Sequence, residues 1–415
     1  MNLTLDQLLA ADGPVCLIIK AQFEPVGDTD RFQPAGFPEM GHVIYDAPRV
    51  DEKGNPTPAE KVCIVDSAAS MANHLETVCF SNPAAGILHT DLAGLPYVRC
   101  VTDDKNGGKT RVVMSTLAEG HRLASEYFIQ NDSKKGVVTF LKGTNQGRPV
   151  RTVLHEELGI EIIPKLKKSK VKAPGSAIKS APETSVDEKR EVSADFTAFI
   201  TPDDWWKVYT TIFKLDPNSL IHGVFFAKEQ IKITRILTAH LEAFGAARVG
   251  SAGVKFDRLN KTNSGQPIFA KDEETARRIE AAFVIDLGLL RSYGNGDRGL
   301  STIQKRLLLE LALWKIQRML GAPFRFRSGC HLRCVSRGYT TDNGAVLDEA
   351  GFGMNLRAAI GACAFGPYAV TDVYYPRKDL FNPKNVPAET SESSDQPEGE
   401  GENAPEENET DTQQE

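Results

Sequence analysis

Three glycines, Gly294, Gly296 and Gly299, have the spacing of the Gly-x-Gly-x-x-Gly loop that holds the pyrophosphate of a dinucleotide. They follow a predicted strand and precede a predicted helix, as this chemistry requires. The next predicted strand, Phe324–Arg327, is not followed by the acid that binds the ribose, although an arginine such as Arg333 would suit a 2′-phosphate. An NADP-type oxidoreductase is therefore one alternative, and a glycine-rich turn, or one that meets a phosphate backbone, is the other.

The other residues that could carry chemistry form no complete set. His155-Glu156-Glu157 lacks the second histidine of a zinc protease, and the chain contains neither a Gly-x-Ser-x-Gly elbow nor a phosphate-binding P-loop. Cys330-His331-x-x-Cys334 has metal-like spacing, but a structural zinc site needs four ligands and no second pair stands at a useful distance. The sequence therefore predicts a protein that is not an enzyme and has no metal and no cofactor.

Positively charged side chains recur beside aromatic ones, which is the chemistry of RNA binding. Lysine and arginine neutralise phosphates, while guanidinium planes and aromatic rings stack on unpaired bases. The candidates are Lys228, Lys232 and Arg235 on one face of a predicted helix, Lys255 and Arg258 on either side of Phe256, Arg325 and Arg327 between phenylalanines, and Arg333. Each element taken alone also fits a solvated surface.

The charge distribution supports a polyanionic partner. The chain has a net charge of -6, but residues 388–415 hold eleven of its 55 acids and no base, so the rest of the chain is about +5. The tail also lacks the apolar residues needed to offset the entropy of folding, and we expect it to be disordered. Residues 164–182 contain six lysines and no acid among small residues, which is typical of a flexible basic insertion or of a solvated loop.

The elements that would position these side chains alternate without a regular βαβ series. A helix is predicted over residues 228–244, with apolar residues on one face and the three cations on the other. Asp66 or Ser67 can cap another helix, and a short helix fits Leu117 to Phe128. Ser301 opens a helix that ends at Leu320, and residues 283–287 read as a buried strand. The alternation in Phe324–Arg327 sends both arginines to the face opposite the phenylalanines. This mixture predicts an α+β fold, a sheet covered by helices.

The hydropathy of the sequence indicates where the protein is located in the cell. The chain is 41% hydrophobic and 25% charged, and its richest apolar run, residues 307–313, carries Glu310 and has basic flanks, which excludes a membrane-spanning helix. The N-terminus lacks the basic and apolar regions of an export signal. We expect a cytoplasmic protein that does not bind membranes. The seven cysteines lie mostly in apolar runs, where reduced thiols pack as small hydrophobes.

Four segments, taken in order, resemble the motifs of one family, the RAMP-type backbone (CRISPR RNA-binding) subunit of type I-G (formerly I-U) CRISPR effector complexes. The resemblance covers roughly residues 14–375. The segments are Arg31-Phe32-Gln33-Pro34-Ala35-Gly36-Phe37-Pro38, Val65-Asp66-Ser67 through Ala72-Asn73-His74-Leu75-Glu76, Gly120-His121-Arg122-Leu123-Ala124, and Arg325-Phe326-Arg327-Ser328-Gly329-Cys330-x-Leu332.

The resemblance implies an RRM-like (ferredoxin-like) palm with inserted helical and thumb-like segments. Several copies would line up along a CRISPR guide RNA and present it for pairing with target DNA, together with a large subunit and a repeat-handle-binding subunit. It also implies RNA contacts at Asn73, His74, His121 and Arg122. In the family, arginine is more common at the position of His74, and a tryptophan-bearing strand is expected where this chain has Gly223-Val224-Phe225-Phe226.

On this basis we expect four regions. The palm would be formed by residues 1–163, with insertions, and by residues 193–385, with helical segments; residues 164–192 would be the basic insertion and residues 386–415 the acidic tail. Two further functions compete with the backbone subunit: a standalone RNA-binding module, and a RAMP-like endoribonuclease that uses His121 or His155.

Overall fold

A computed structural model describes residues 3–27, 29–37, 40–103, 110–129, 149–159, 162–166, 192–198, 204–253, 269–366, 369–375 and Arg377. The helices of this part are α1 (Leu5–Leu9), α2 (Ala68–Thr77), α3 (Glu126–Ile129), α4 (Val150–Leu158), α5 (Trp205–Leu215), α6 (Pro217–His222), α7 (Leu287–Ser292), α8 (Thr302–Leu320) and α9 (Leu356–Ala362), with short 3₁₀ helices at Thr90–Leu92, Arg122–Ala124 and Glu349–Phe352.

The strands of the same part follow in chain order. They are β1 (Cys16–Pro25), β2 (Arg31–Phe32), β3 (Gly36–Phe37), β4 (Gly41–His42), β5 (Ile44–Val50), β6 (Pro56–Asp66), β7 (Phe80–Asn82), β8 (Ile87–Leu88), β9 (Tyr97–Asp103), β10 (Thr110–Ser115), β11 (Ile162–Leu166), β12 (Val192–Ala198), β13 (Val224–Phe226), β14 (Ile231–Ile233), β15 (Leu237–Phe244), β16 (Ala247–Gly253), β17 (Phe269–Thr275), β18 (Arg278–Asp286), β19 (Phe324–Arg327), β20 (Cys330–Thr341), β21 (Val346–Leu347) and β22 (Val370–Tyr374).

The main sheet has the strand order β19-β20-β1-β18-β15-β6-β5, with antiparallel pairing throughout. Its four central strands appear in the chain as β1, β15, β18 and β20. Helices stand between the first and second of these, where α2 packs against β15, and between the third and fourth, where α8 lies. This is the β-α-β-β-α-β topology with the spatial order fourth, first, third, second. It confirms the α+β prediction and gives the palm its RRM-like arrangement.

Insertions enlarge this palm at defined points. Strands β5 and β6 extend the sheet beyond β15, and the hairpin β13–β14 immediately precedes β15. In the sequence, a second hairpin, β16–β17, comes between the central strands β15 and β18. Its strand β17 pairs with β2. The palm is therefore assembled from strands that lie far apart in sequence.

Side-chain alternation explains why the central strands form a half-covered sheet. In β1, Leu17, Ile19, Ala21 and Phe23 are buried, whereas Lys20, Gln22 and Glu24 are exposed. Helices α2 and α6 contact β15, and α7 contacts β1. Ser301 begins α8, as predicted from the sequence, and forms a reciprocal capping box with Gln304. None of the helices in the described ranges is long and apolar enough to cross a membrane.

The prediction of a helix over residues 228–244 is wrong. The segment forms a turn, then β14 and β15, and Gly245 takes a positive φ of 66° after the strand and not after a helix. In β15 the buried residues Leu237, Ala239, Leu241 and Ala243 recur every second position. Their spacing satisfies the strand period, which competes with the helical period in any short apolar run.

Other predictions have mixed outcomes. Ser67 caps α2 and β18 contains the predicted buried strand, so both are confirmed. The single helix expected from Leu117 to Phe128 is replaced by a 3₁₀ turn followed by the short α3. The acidic tail, most of the basic insertion, and the candidates Lys255 and Arg258 lie outside the described residues.

Candidate nucleic-acid interface

Helix α2 carries two motif residues, His74 and Glu76, on opposite sides, and each enters a different polar cluster. The first, here called the Asp66 cluster, consists of Asp66, His74 and Arg327. Asp66 Oδ2 accepts a hydrogen bond from His74 Nε2 at 2.9 Å and lies 2.9 Å from Arg327 Nη2. The carboxylate is fully buried, and its contacts with His74 and Arg327 hold β6, α2 and β19 together.

In the Asp66 cluster, neighbouring donors stabilise the charged form of the buried carboxylate. Burial alone would raise the pKa of Asp66, but the hydrogen bond from His74 and the charge of Arg327 hold it below the usual value. His74 uses the same nitrogen, Nε2, toward Asp66 and toward the Ser70 hydroxyl at 3.3 Å. A serine-histidine-acid relay needs the two ring nitrogens on different partners, so this triplet cannot activate a nucleophile.

The placement of Arg327 corrects the prediction that it shares a solvent face with Arg325. The β19–β20 register shifts between the two arginines, so Arg327 pairs with Cys330 while Arg325 pairs with His331. This bulge turns Arg327 inward, where Nη1 donates to the carbonyl of Val65 at 2.8 Å. Arg325 remains exposed, as predicted.

Two phenylalanines of β19 pack against the Asp66 cluster. The ring of His74 meets Phe324 and Phe326 edge to face, with centroid distances of 5.4 and 5.3 Å. The His74 side chain is 18% exposed and packs against β19, and its contact with RNA stays a prediction.

The second cluster, here called the Glu76 cluster, lies on the other side of α2. Arg122 binds the Glu76 carboxylate with both Nε, at 2.7 Å, and Nη2, at 2.9 Å. Asn218 Nδ2 donates to the same carboxylate at 2.5 Å, and Lys315 Nζ donates to the Asn218 side-chain oxygen. Arg122 is only 8% exposed and uses its guanidinium inside this cluster, and its contact with RNA stays a prediction.

Burial shifts the pKa values of two further groups in this region, Asp216 and His222. Burial raises the pKa of Asp216 to about 6, partly against the hydrogen bond from Ser219. Burial and the charge of Lys315 hold the pKa of His222 well below its ordinary value, so a neutral ring accepts from Lys315 Nζ at 3.0 Å. The cluster links α2, α6 and α8 through polar contacts inside the protein.

Arg122 also reaches the surface hairpin β13–β14. Its Nη1 donates to the carbonyl of Gly223 at 3.3 Å. Gly223 has a φ of 83°, and a Cβ there would lie 2.8 Å from the carbonyl of Ile233, so only glycine fits this junction. The Glu76 cluster thereby fixes the base of the hairpin.

The outer side of this hairpin combines an exposed aromatic ring with exposed positive charge. Phe225 and Lys232 are cross-strand neighbours, and Phe225 is 52% exposed while Phe226 beside it is buried. Arg235 follows β14, is exposed, and donates to the carbonyl of Ala68 at the start of α2 at 3.4 Å. We call Phe225, Lys232 and Arg235 the hairpin face. An exposed ring can stack on a base, while the lysine across from it and the arginine after β14 can bind phosphates of the same strand.

Phe225 is not among the binding residues predicted from the sequence, and Lys232 and Arg235 are predicted there on a helix. The alternation of Val224, Phe225 and Phe226 is a strand signal that would have separated the exposed ring from the buried one. Lys232 instead lies across from Phe225 in the hairpin, and Arg235 follows β14 and contacts the start of α2.

A second cationic row, the edge stripe, lies on the uncovered face of the palm sheet. It consists of Arg325 and its cross-strand neighbour His331, followed two positions on by Arg333. Arg333 lies 3.5 Å from Glu24 of β1, and both side chains are about half exposed. The stripe is therefore less strongly cationic than its arginines alone indicate.

In the described part of the chain, the remaining candidate residues do not form a catalytic set with one another. His121 is 83% exposed and contacts Glu119 at 3.2 Å, close in sequence to Arg122. Asn73 and Lys228 are exposed. His155 Nε2 lies 3.0 Å from the buried carboxylate of Glu229.

The glycine motif forms a closed turn. It follows helix α7 and not a strand, Gly294 and Gly299 form a β-bridge, and Leu300 N donates to the carbonyl of Tyr293 at 2.9 Å. The amides of Asn295 and Arg298 bond inside the loop as well. These donors are consumed within the turn, which does not have the shape of a dinucleotide fingerprint. Within the described ranges no three potential metal ligands converge.

The chain matches the sequence model of a known protein family. The sequence model described as CRISPR-associated protein GSU0053 matches residues 17–248, which is more than half of the chain. No protein of curated function matches significantly. Among solved structures, one similar chain comes from an assembly titled "CRISPR RNA-guided surveillance complex, pre-nicking", with 12% identity and a TM-score of 0.33 over 84% of this chain and 87% of that one. At this TM-score the likeness adds nothing to the topology described above.

Proposed function

This chain belongs to the CRISPR-associated protein GSU0053 family, and we propose that it is the RAMP-type, guide-binding backbone subunit of a type I-G effector complex. In this proposal several copies polymerise along a CRISPR RNA in the cytoplasm and present it to target DNA. The large subunit and the subunit that binds the repeat handle complete the complex. The protein itself carries out no catalysis.

One observation carries the proposal, the hairpin face. Phe225 is a large apolar ring that the fold leaves half exposed while burying its neighbours, and Lys232 lies directly across from it. Binding unpaired bases without reading their sequence requires stacking rings beside cations, because every base has a π face and every nucleotide a phosphate. A subunit that accepts any guide sequence needs this kind of contact.

The test is the affinity for a guide-like single-stranded RNA. We expect Phe225→Ala combined with Lys232→Ala to weaken binding about 5- to 150-fold, because one stacked base contributes about 1–3 kcal/mol. The dependence of log affinity on log salt should also flatten by about 0.7 for the lost phosphate contact. Fluorescence anisotropy at several salt concentrations measures both quantities.

A matched control removes similar groups elsewhere. Lys214 is an exposed lysine of α5 and Val346 is an exposed apolar residue of β21. The combination Lys214→Ala and Val346→Ala should leave RNA affinity within about twofold, since surface changes away from a contact have small effects. Equal affinities for the two double variants would exclude the hairpin face as the RNA site.

The endoribonuclease alternative predicts that the protein cleaves RNA, whereas the backbone proposal predicts no cleavage. Labelled guide-like RNA incubated with the protein and Mg²⁺ should stay intact, because His155 is committed to Glu229 and His121 projects into solvent. Denaturing electrophoresis over several hours checks this result. Cleavage that disappears in His121→Ala or His155→Ala would replace the backbone role by a processing enzyme.

A further inference from the structure

The hairpin face presents positive charge without an internal counter-charge. In the part of the chain that the structure describes, neither Lys232 nor Arg235 is paired with a carboxylate; Arg235 has only the carbonyl of Ala68. Most other partly exposed arginines there do have acidic partners, including Arg49 with Glu60, Arg99 with Asp372 and Arg337 with Glu349. The hairpin face therefore offers an opening for an anionic partner before any RNA is bound.

The chain itself contains a matching polyanion. Residues 388–415 hold eleven acids and no base. At about 3.3–3.6 Å per residue, Glu389 can lie up to about 40 Å from Arg377, and the last acid up to about 130 Å. A folded body of roughly 300 residues has a radius of gyration of only about 20 Å, so the acids can reach any point of its surface.

We propose that residues 388–415 occupy the hairpin face of the RNA-free protein and that guide RNA must displace them. This inference rests on the proposed function, because it assigns the same surface to two competing polyanions. The tail has carboxylates but no bases, so it can neutralise Lys232 and Arg235 and cannot supply the base that stacks on Phe225. A guide therefore outcompetes it, whereas non-specific polyanions that bind by charge alone are excluded.

The size of the effect follows from effective concentration. A flexible tether places its end at a millimolar concentration near a site on the same chain. If the tail binds the site with a dissociation constant of about 0.1–1 mM, it weakens RNA binding about two- to tenfold at low salt. Screening at a Debye length of about 3 Å in 1 M salt should abolish the difference.

The experiment compares four proteins in their affinity for guide-like RNA: the full chain, a chain ending at Lys384, and each of these with Lys232→Ala and Arg235→Ala. We expect truncation to raise affinity two- to tenfold at 50 mM salt in the first pair and to have no effect in the second pair. A full-length chain whose eleven tail acids are changed to glutamine or asparagine should behave like the truncated one.

The outcomes separate the two proposals. If truncation leaves affinity unchanged while Lys232→Ala and Arg235→Ala weaken it, the tail proposal fails and the proposed function stands. If truncation raises affinity equally in both pairs, the tail binds another surface, such as the edge stripe, and the placement is wrong. If neither the full nor the truncated chain binds guide-like RNA, the proposed function fails and the tail proposal fails with it.

Discussion

Replacing Arg122 by alanine should lower the free energy of unfolding by about 3–5 kcal/mol, the range expected when one partner of a buried ion pair is removed. The variant leaves the carboxylate of Glu76, which is 3% exposed, with only the amide of Asn218 as a side-chain donor in the cluster. It also removes the donor that fixes the carbonyl of Gly223. Urea denaturation followed by circular dichroism measures the loss.

The control for Arg122 keeps the volume and removes both charges. Arg122→Met combined with Glu76→Gln should recover part of the stability, because no buried carboxylate is left without its arginine and the glutamine oxygen can still accept from Asn218 Nδ2. Arg122→Lys should recover little, since a lysine cannot reproduce the two parallel hydrogen bonds. A loss below 1 kcal/mol for Arg122→Ala would show that the Glu76 cluster does not hold the hairpin in place.

Replacing Arg327 by alanine should cost about 3 kcal/mol of stability and leave the salt dependence of RNA binding unchanged. Its guanidinium lies inside the Asp66 cluster and contacts Asp66 and the carbonyl of Val65, so it is not available to phosphates. Thermal unfolding and RNA titrations at several salt concentrations on the same sample give both quantities.

Arg325 is the matched control, two positions away on the same strand. Arg325→Ala should change stability by no more than about 0.5 kcal/mol, as for other exposed substitutions. If the edge stripe contacts the guide, the salt slope of this variant flattens by about 0.7. The reverse pattern, a flattened slope for Arg327→Ala without loss of stability, would contradict the inward placement of Arg327.

The pH dependence provides a further readout on the Asp66 cluster. Because the folded-state pKa of Asp66 is lowered, its stabilising contribution is complete above its ordinary pKa of 3.8 and is lost as the pH falls through the lowered folded value. Without Arg327 the folded pKa should move upward, toward the unfolded one. The Arg327→Ala variant should therefore show less loss of stability on acidification than the parent, measured relative to each protein at pH 7.

Local features of the fold could be predicted from the sequence because their causes are local. Ser67 and Ser301 cap their helices through residues three positions away, and the strand around Phe283 follows from a short apolar run. The failure at residues 228–244 has a local cause too, since the apolar spacing there is compatible with both periods and the choice is made by pairing with β6 and β18.

The roles of the motif residues could not be predicted because their partners lie far away in sequence. Arg122 binds Glu76 across 46 positions, and Arg327 binds Val65 across 262. An arginine in an isolated sequence looks the same whether it meets a phosphate or a buried carboxylate. The bulge between Arg325 and Arg327 depends on β20, so it cannot be seen in the four letters of β19.

The position of β1 in the sheet also determines when the protein can fold during its synthesis. Its two neighbours are β18 and β20, and Cys16 pairs with Asp286 while Leu17 pairs with Thr341. At a ribosomal rate of about 5–20 residues per second, roughly 15–55 s separate the appearance of β1 from that of β18. Throughout this interval an apolar strand waits unpaired, open to aggregation, while hairpins such as β13–β14 can close within microseconds of emerging. The palm strand made first is among the last to be paired, so completion of the chain limits the rate at which the native sheet appears.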